Sequence, residues 1–167
     1  MEEFIDEVDR SGKIIATHSR ALLKKQMFMH RVALIIPKAP NNKILLSRRA
    51  KDKHPFPDRW CCAVGGKVSH GETEETAALR EMKEEIGKSL ALQKVKEFVY
   101  DEQDYKAIFT VFTTKTAMAS DDLVLDPEEI QYSTPFSKEE VRKMIKESPS
   151  SFAPTFIAAI KETIDLL

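Results

Sequence analysis

The sequence has little of what marks a disulfide-rich, secreted or membrane protein. Only two of its 167 residues are cysteine, and these two, Cys61 and Cys62, are adjacent. A structural cross-link between neighbours is not expected, which favours a reducing, cytoplasmic setting. No apolar run approaches the roughly 20 residues that cross a bilayer. The first residues, Met1 to Asp6, are acidic where a signal peptide is basic.

The chain also lacks an excess of charge. Its 26 lysines and arginines nearly balance 27 acidic residues, for a net charge of −1. This balance gives no general attraction to a nucleic acid polymer or an anionic membrane. The apolar content of 42% is typical of a globular protein, and no linker or repeat divides the chain. We therefore predict one domain over residues 1–167 and leave the oligomeric state open, a homodimer included.

The apolar pattern predicts an α/β fold in which a mixed sheet packs between helices. Residues 4–16 are predicted as a hairpin, 19–25 as a short helical connection and 49–59 as a loop. Further strands are predicted over 28–37, 43–48, 60–64, 95–100, 105–114 and 130–136. Helices are predicted over 73–86, from 137 to about 147, and from 154 to the end of the chain.

The helix over residues 73–86 concentrates negative charge. At about 100° per residue, Glu81, Glu84 and Glu85 share one face, beside the apolar stripe. A like-charged i,i+4 pair costs about 0.2–0.5 kcal/mol, and Arg80 relieves this only in part, through Glu84. The excess of carboxylates indicates a missing divalent cation such as Mg²⁺, which prefers oxygen ligands. From the helix alone, a solvated acidic face is the alternative.

The residues around this helix follow a fixed spacing. Gly66 is followed after five residues by Glu72, and Glu72 after seven residues by Arg80. From there the chain reads Arg80-Glu81-Met82-Lys83-Glu84-Glu85-Ile86-Gly87. This stretch resembles the Nudix box, the signature of the Nudix hydrolases. It departs from the family only at Lys88, where an aliphatic residue is usual and where the side chain packs rather than reacts.

The resemblance implies a fold, a cofactor and a reaction. The fold is an α/β/α sandwich with a mixed β-sheet, in which the box forms a catalytic loop–helix–loop. The cofactor is Mg²⁺ or Mn²⁺, and the reaction is attack of water on phosphorus in a diphosphate that carries another group. The expected substrate is a small nucleoside diphosphate derivative or another organic diphosphate, as for a pyrophosphatase.

The resemblance also implies roles for single residues. Three carboxylates match the metal ligands of the family and include a candidate general base, and Gly66 lies beside the metal. Arg80 matches the arginine that orients a catalytic carboxylate, whereas Glu72 and Gly87 match structural positions. The three matching carboxylates are Glu81, Glu84 and Glu85.

Substrate-binding candidates come from basic residues near the box. Arg48 or Arg49, at a strand end, suits bidentate contact with phosphate, and Lys67 adds a cation beside Gly66. Lys51 and Lys53 are expected to be solvated. The loops at 50–59 and 115–128 are expected to recognise the leaving group.

Two rival functions stay open. Segments such as Phe56–Trp60 resemble the Nudix branch that includes type 1 isopentenyl-diphosphate isomerase. In that enzyme the catalytic cysteine lies several residues after the position of Trp60 and is soon followed by His-Pro. Here Cys61 and Cys62 come too early, no His-Pro follows, and residues 105–112 lack the isomerase's acid. Because these isomerase residues are missing, we favour a hydrolase over an isomerase. We favour it over a catalytically silent diphosphate-binding module because the carboxylate set is complete.

Other residues carry simpler expectations. Cys61 and Cys62 are predicted to be strand thiols that point one inward and one outward. His30 is predicted to be a hydrogen-bonded structural residue, since no partner ligand lies near it in the sequence. The acidic pair Glu128-Glu129 is a minor candidate for an additional contribution to the metal site.

Overall fold

The computed structural model describes residues 2–167, so Met1 lies outside the described residues. Within this range the strands are β1 (Phe4–Val8), β2 (Ile14–Ser19), β3 (His30–Ile35), β4 (Lys38–Ala39), β5 (Lys43–Arg49), β6 (Trp60–Cys62), β7 (Val64–Lys67), β8 (Leu92–Asp101), β9 (Lys106–Thr114) and β10 (Ile130–Phe136). The helices are α1 (Glu74–Ile86), α2 (Lys138–Glu147) and α3 (Pro154–Thr163). None of the helices described there is long and apolar enough to cross a membrane.

The strands form one hairpin and two four-stranded sheets. The hairpin pairs β1 with β2. One sheet has the order β7-β3-β9-β8; in the other, β5 pairs with β10, β4 and β6. Strands β3 and β9 run parallel, whereas the other pairs of this sheet are antiparallel, which confirms the predicted mixed sheet.

Helices cover both faces of strand β3. Its alternate residues Ala33 and Ile35 pack in a core with α1, while Val32 and Leu34 pack in a second core that includes residues of α2 and α3. Successive strand side chains point to opposite faces, so a strand that is apolar throughout needs a covering layer on each side. The result is the predicted α/β/α sandwich.

Helix α1 has local signals at both ends. The Thr73 side chain accepts a hydrogen bond from the backbone N–H of Thr76 at 3.1 Å. At the other end Gly87 adopts the left-handed conformation, with φ of 65°, and its N–H donates to the carbonyl oxygen of Lys83. The helix packs against β7 and β3. The predicted helix is thus confirmed, and it lies next to the edge strand β7.

Several predicted boundaries change. Strand β2 extends to Ser19, and the predicted helical connection is a 3-10 turn over Arg20–Lys24. The segment between the predicted strands 28–37 and 43–48 contains the two-residue strand β4 before Asn41 and Asn42 reverse the chain with positive φ. Helix α2 begins with a capping box formed by Ser137 and Glu140, whereas α3 ends at Thr163 and not at the chain end.

The predicted strand over residues 60–64 is wrong in one respect that matters for the site. It is two strands, because β6 pairs with β5 while β7 pairs with β3 in the other sheet. Ala63 lies between them, where the chain steps from one sheet to the other. The prediction that the two thiols point in opposite directions is also wrong. Cys61 and Cys62 are both buried, with their Sγ atoms 3.6 Å apart.

Candidate active site

The guanidinium group of Arg80 links α1 to the loop that precedes it. Its Nε and Nη2 atoms donate to the two carboxylate oxygens of Glu72 at 2.8 and 3.0 Å. Nη1 donates to Oε1 of Glu81 at 2.7 Å, and Nη2 also donates to the carbonyl oxygen of Lys67 at 3.2 Å. Hydrogen bonds from Arg80 lower the pKa of Glu72. Arg80 and Glu72 therefore fix the position of Glu81 relative to strand β7.

Gly66 provides the space in which the Glu81 carboxylate lies. A Cβ atom at Gly66 would stand 2.0 Å from Oε1 and 2.1 Å from Cδ of Glu81. Such distances are far below van der Waals contact, so a side chain fits at this position only if the Glu81 carboxylate moves away. The glycine is required by close approach and not by an unusual backbone angle.

Two of the three predicted carboxylates are buried. Glu81 and Glu85 are each 8% exposed, and loss of hydration by burial raises the pKa of both. The negative charges of Glu81 and Glu129 raise the pKa of Glu85 further. The Glu84 side chain, by contrast, is 59% exposed and contacts Arg80 at 3.4 Å. The structure thus brings Glu81 and Glu85 together and leaves Glu84 on the solvent side of the helix.

A cavity of about 770 Å³ opens between the two sheets, where the chain crosses from β6 to β7. One part of its wall is charged and lies beside α1. Another part belongs to the apolar core that packs against α2 and α3. The charged part includes Arg49, Lys53, Lys67, Glu81, Glu85 and Glu129, and the apolar part includes Met27, Val32, Leu34, Phe56, Tyr105 and Phe109.

The predicted substrate-binding residues separate in space. Lys67 and Arg49 line the cavity, and burial lowers the pKa of Lys67 to about 8. The Nε atom of Arg49 donates to the carbonyl oxygen of Phe56 at 3.1 Å. Arg48 points elsewhere. It donates to Asp58 at 3.0 Å and lies 5.8 Å from the ring centroid of Trp60.

Sequence reasoning missed some charged residues of the cavity. Lys53, expected to be solvated, forms an ion pair with Glu129 in the cavity wall. Glu129 was a minor candidate, and its partner in the sequence pair, Glu128, does not line the cavity. Arg20 and Lys24 reach the same wall from the 3-10 turn after β2. No local pattern signals this convergence, because it depends on how the turn and the loop fold over the sheets.

His30 has the contacts expected of a structural residue. It is fully buried, and its Nδ1 lies 3.0 Å from the carbonyl oxygen of Phe28, so that nitrogen carries the proton. Burial lowers its pKa to about 4, which keeps the imidazole neutral.

Comparison with protein families agrees with this arrangement. The NUDIX domain model matches residues 28–156, a range that runs from before β3 into α3 and contains the whole box. The chain belongs to the Nudix family. Its relatives include a phosphatase, and the chain is a Nudix hydrolase.

Three relatives show how far this likeness extends. A prenyl-diphosphate phosphatase of Methanosarcina mazei is 28% identical over 151 residues, covering 90% of this chain and 88% of that protein. An isopentenyl-diphosphate Delta-isomerase of Serratia proteamaculans is 31% identical over 100 residues, covering 60% of this chain and 56% of that enzyme. The crystal structure of DR0079 from Deinococcus radiodurans superposes with a TM-score of 0.83 at 19% identity, covering 96% and 99% of the two chains, which shows a shared fold.

The residues present suit a divalent metal ion. Among residues 2–167, no group of three or more His, Cys, Asp or Glu side chains is arranged to bind a metal ion on its own. Mg²⁺ does not need such a cage, because it is usually held by one or two carboxylates together with waters and substrate phosphates. Glu81 and Glu85 supply two buried carboxylates, and the backbone at Gly66 leaves room beside them. The donor set therefore fits Mg²⁺ or Mn²⁺.

A substitution of Gly66 tests the close approach. In Gly66→Ala the new methyl group must displace the Glu81 carboxylate, so we expect Mn²⁺ affinity to fall at least about tenfold. Overpacking should also lower stability by roughly 1–3 kcal/mol. Isothermal titration with Mn²⁺ and thermal unfolding measure the two effects.

Gly71→Ala is the matched control for this substitution. Gly71 has φ of 83° but nothing within 4 Å of a Cβ atom. We expect Gly71→Ala to lower stability because alanine rarely adopts this backbone conformation, while Mn²⁺ affinity stays at the wild-type value. Equal Mn²⁺ affinities in Gly66→Ala and wild type would contradict the assigned role of Gly66.

The buried carboxylates predict a stability cost in metal-free protein. The pKa of Glu85 is higher in the folded state than in the unfolded state, so stability falls as pH rises above the ordinary glutamate pKa of 4.5 towards the folded value. In EDTA at pH 8, we expect Glu85→Gln to raise Tm by roughly 2–4 °C and to flatten its dependence on pH. The exposed Glu84→Gln is the control and should change little. A lower Tm in Glu85→Gln than in wild type would refute the argument.

Proposed function

We propose that this Nudix hydrolase uses Mg²⁺ or Mn²⁺ to cleave the diphosphate linkage of an organic diphosphate whose attached group is apolar. The observation that carries the proposal is the composition of the cavity wall. Buried carboxylates and cations line one part of it, and aromatic and aliphatic side chains line the other. The similarity to a prenyl-diphosphate phosphatase over 90% of the chain supports the same substrate class.

The acidic residues have distinct tasks in this proposal. Glu81 and Glu85 hold the ion, and Arg80 keeps Glu81 in place through its bond at 2.7 Å. A bound divalent ion supplies neutralisation of phosphoryl charge and a more acidic water. A carboxylate of the cavity then takes the proton of the attacking water. Glu129, which lies at the same wall, is a candidate for this base, together with Glu81 and Glu85. The predicted role of Glu84 as a metal ligand stays a prediction.

The cations of the cavity bind the diphosphate. Lys67 and Arg49 line the wall shared with the carboxylates, and Lys53 is close enough to pair with Glu129. Cations aimed at phosphoryl oxygens stabilise the charge that develops during phosphoryl transfer. In a partly buried site such contacts are stronger than in water. We infer that Arg49, rather than Arg48, contacts the substrate.

The apolar wall favours a hydrocarbon group over a nucleoside. Tyr105 and Phe109 stack with ring centroids 6.0 Å apart, and Phe56 packs near them. The hydroxyl of Ser47, which also lines the cavity, already bonds to Ala63 and Ser133. A nucleobase would lose hydrogen bonds with water that these aromatic and aliphatic side chains do not replace. An alkyl chain gains about 25 cal/mol for each Å² that it buries.

The proposal is tested with a panel of diphosphates. Purified protein with Mg²⁺ is expected to release inorganic phosphate and prenyl monophosphate from geranyl diphosphate, with kcat/KM at least about tenfold above that for ADP-ribose. EDTA should abolish turnover. Glu85→Gln should lower it at least about 100-fold, and the exposed Glu84→Gln should lower it less.

Other outcomes of the panel would refute the proposal. Conversion of isopentenyl diphosphate to its dimethylallyl isomer without phosphate release would identify an isomerase. Binding of all diphosphates without turnover would identify a catalytically silent module. Preference for ADP-ribose would retain a hydrolase but contradict the apolar substrate class.

A further inference from the structure

Two thiols of the cavity wall have no task in the proposed reaction. Cys61 and Cys62 both line the cavity, and their Sγ atoms are 3.6 Å apart, with the S–H of one thiol donating to the other. Neighbouring residues of a regular strand point to opposite faces. Here β6 ends at Cys62, where the chain turns towards the other sheet, and both side chains reach the same side.

Gly65 leaves the space that this arrangement needs. A Cβ atom at Gly65 would lie 3.2 Å from Sγ of Cys62 and 2.9 Å from Cδ2 of Leu34. A larger residue would therefore push against the thiol and against the strand β3 side chain beneath it. The two thiols are free, and they are the only cysteines of the sequence.

The surroundings make one of the thiols reactive. The hydrogen bond from Cys62, together with the positive charge of Arg49, lowers the pKa of Cys61 to about 7. The thiolate is the nucleophilic form of cysteine, so a lowered pKa favours reaction at Cys61.

We propose that Cys61 and Cys62 form a binding site for trivalent organoarsenicals, and that an arsenical bound there excludes the substrate from the cavity. Two sulfur donors are too few for zinc, which takes four ligands. In the part of the chain that is described, no third His, Cys, Asp or Glu completes such a set around them. An organoarsenic(III) group needs only two thiols. The site itself is independent of the proposed function, whereas the exclusion rests on it.

The chemistry of binding is balanced without any oxidant. Phenylarsine oxide reacts with the two thiols so that two S–H bonds break, two As–S bonds form and the oxygen leaves as water. Arsenic stays trivalent throughout. The phenyl group is the size of benzene, which fits a cavity of about 150 Å³, so the cavity of about 770 Å³ has ample room.

The site is tested with the reduced full chain and phenylarsine oxide, followed by intact mass spectrometry. Wild type is expected to gain one phenylarsenic group, with loss of water, and to keep it in excess 2-mercaptoethanol but lose it to a dithiol. Two linked thiols bind through a high effective concentration, so Cys61→Ser and Cys62→Ser should each bind at least about tenfold more weakly. The double variant has no cysteine and should gain no mass.

Three results would overturn the site. In the first, a single-serine variant forms an adduct that resists 2-mercaptoethanol as well as the wild-type adduct does. In the second, native wild type forms no adduct while the urea-unfolded chain does, because the thiols of the folded protein are then inaccessible to the arsenical. In the third, the double variant, which has no cysteine, forms an adduct. If a serine variant fails to fold, as judged by thermal unfolding, the wild-type comparison between native and unfolded chain still decides.

Exclusion of the substrate is measured separately. A geranyl methylenebisphosphonate, whose P–C–P bridge resists hydrolysis, is added with Mg²⁺ before the arsenical. We expect saturating ligand to slow adduct formation in wild type at least about tenfold. An unchanged rate with bound ligand would refute exclusion. Adduct formation in a protein that hydrolyses no diphosphate would instead refute the proposed function and leave the thiol site standing.

Discussion

The arrangement of this protein's site depends on the hydrogen-bonded ion pairs of Arg80. A planar guanidinium with donors on two edges binds the carboxylate of Glu72 with one edge and reaches Glu81 with another nitrogen. The loop before α1 is thereby held at a fixed distance from the helix. Because the Glu81 carboxylate is also pressed against Gly66, it has little freedom to turn away. Lysine cannot replace this arginine, since a single ammonium group lacks the fork geometry.

The same site works against the stability of the fold. Glu81 and Glu85 lose hydration and lie near each other's charge, and burial raises the pKa of both. The helix that carries them is held in place along the adjacent face by Ala78, Met82 and Ile86, which are almost fully buried. Apolar packing on one face of α1 therefore offsets the electrostatic cost on the face next to it. A cation that enters the site relieves that cost, so that binding and stability are linked.

The cavity is a consequence of the sheet topology. The chain leaves one sheet at Cys62 and joins the other at Val64, so the two sheets separate at this step. Charged residues from α1 and nearby loops meet aromatic residues of β9 and its preceding turn in the gap. In the proposed function, this meeting of unlike surfaces in one cavity favours a diphosphate with an apolar group over a free nucleotide. It also places both thiols where a ligand would pass.

The sequence by itself determined the features that are local. Short-range patterns determine helix α1, its cap at Thr73, its end at Gly87 and the spacing from Gly66 to Glu85. The structure also agrees with the predicted α/β/α sandwich. Tertiary structure decided which side chains enter the cavity. Glu84 lies outside it while Glu129 and Lys53 lie within, and both thiols point the same way. The physical reason is that side-chain direction at strand ends, loops and helix edges is set by partners distant in sequence, such as the pairing of β6 with β5 and of β7 with β3, which no local periodicity encodes.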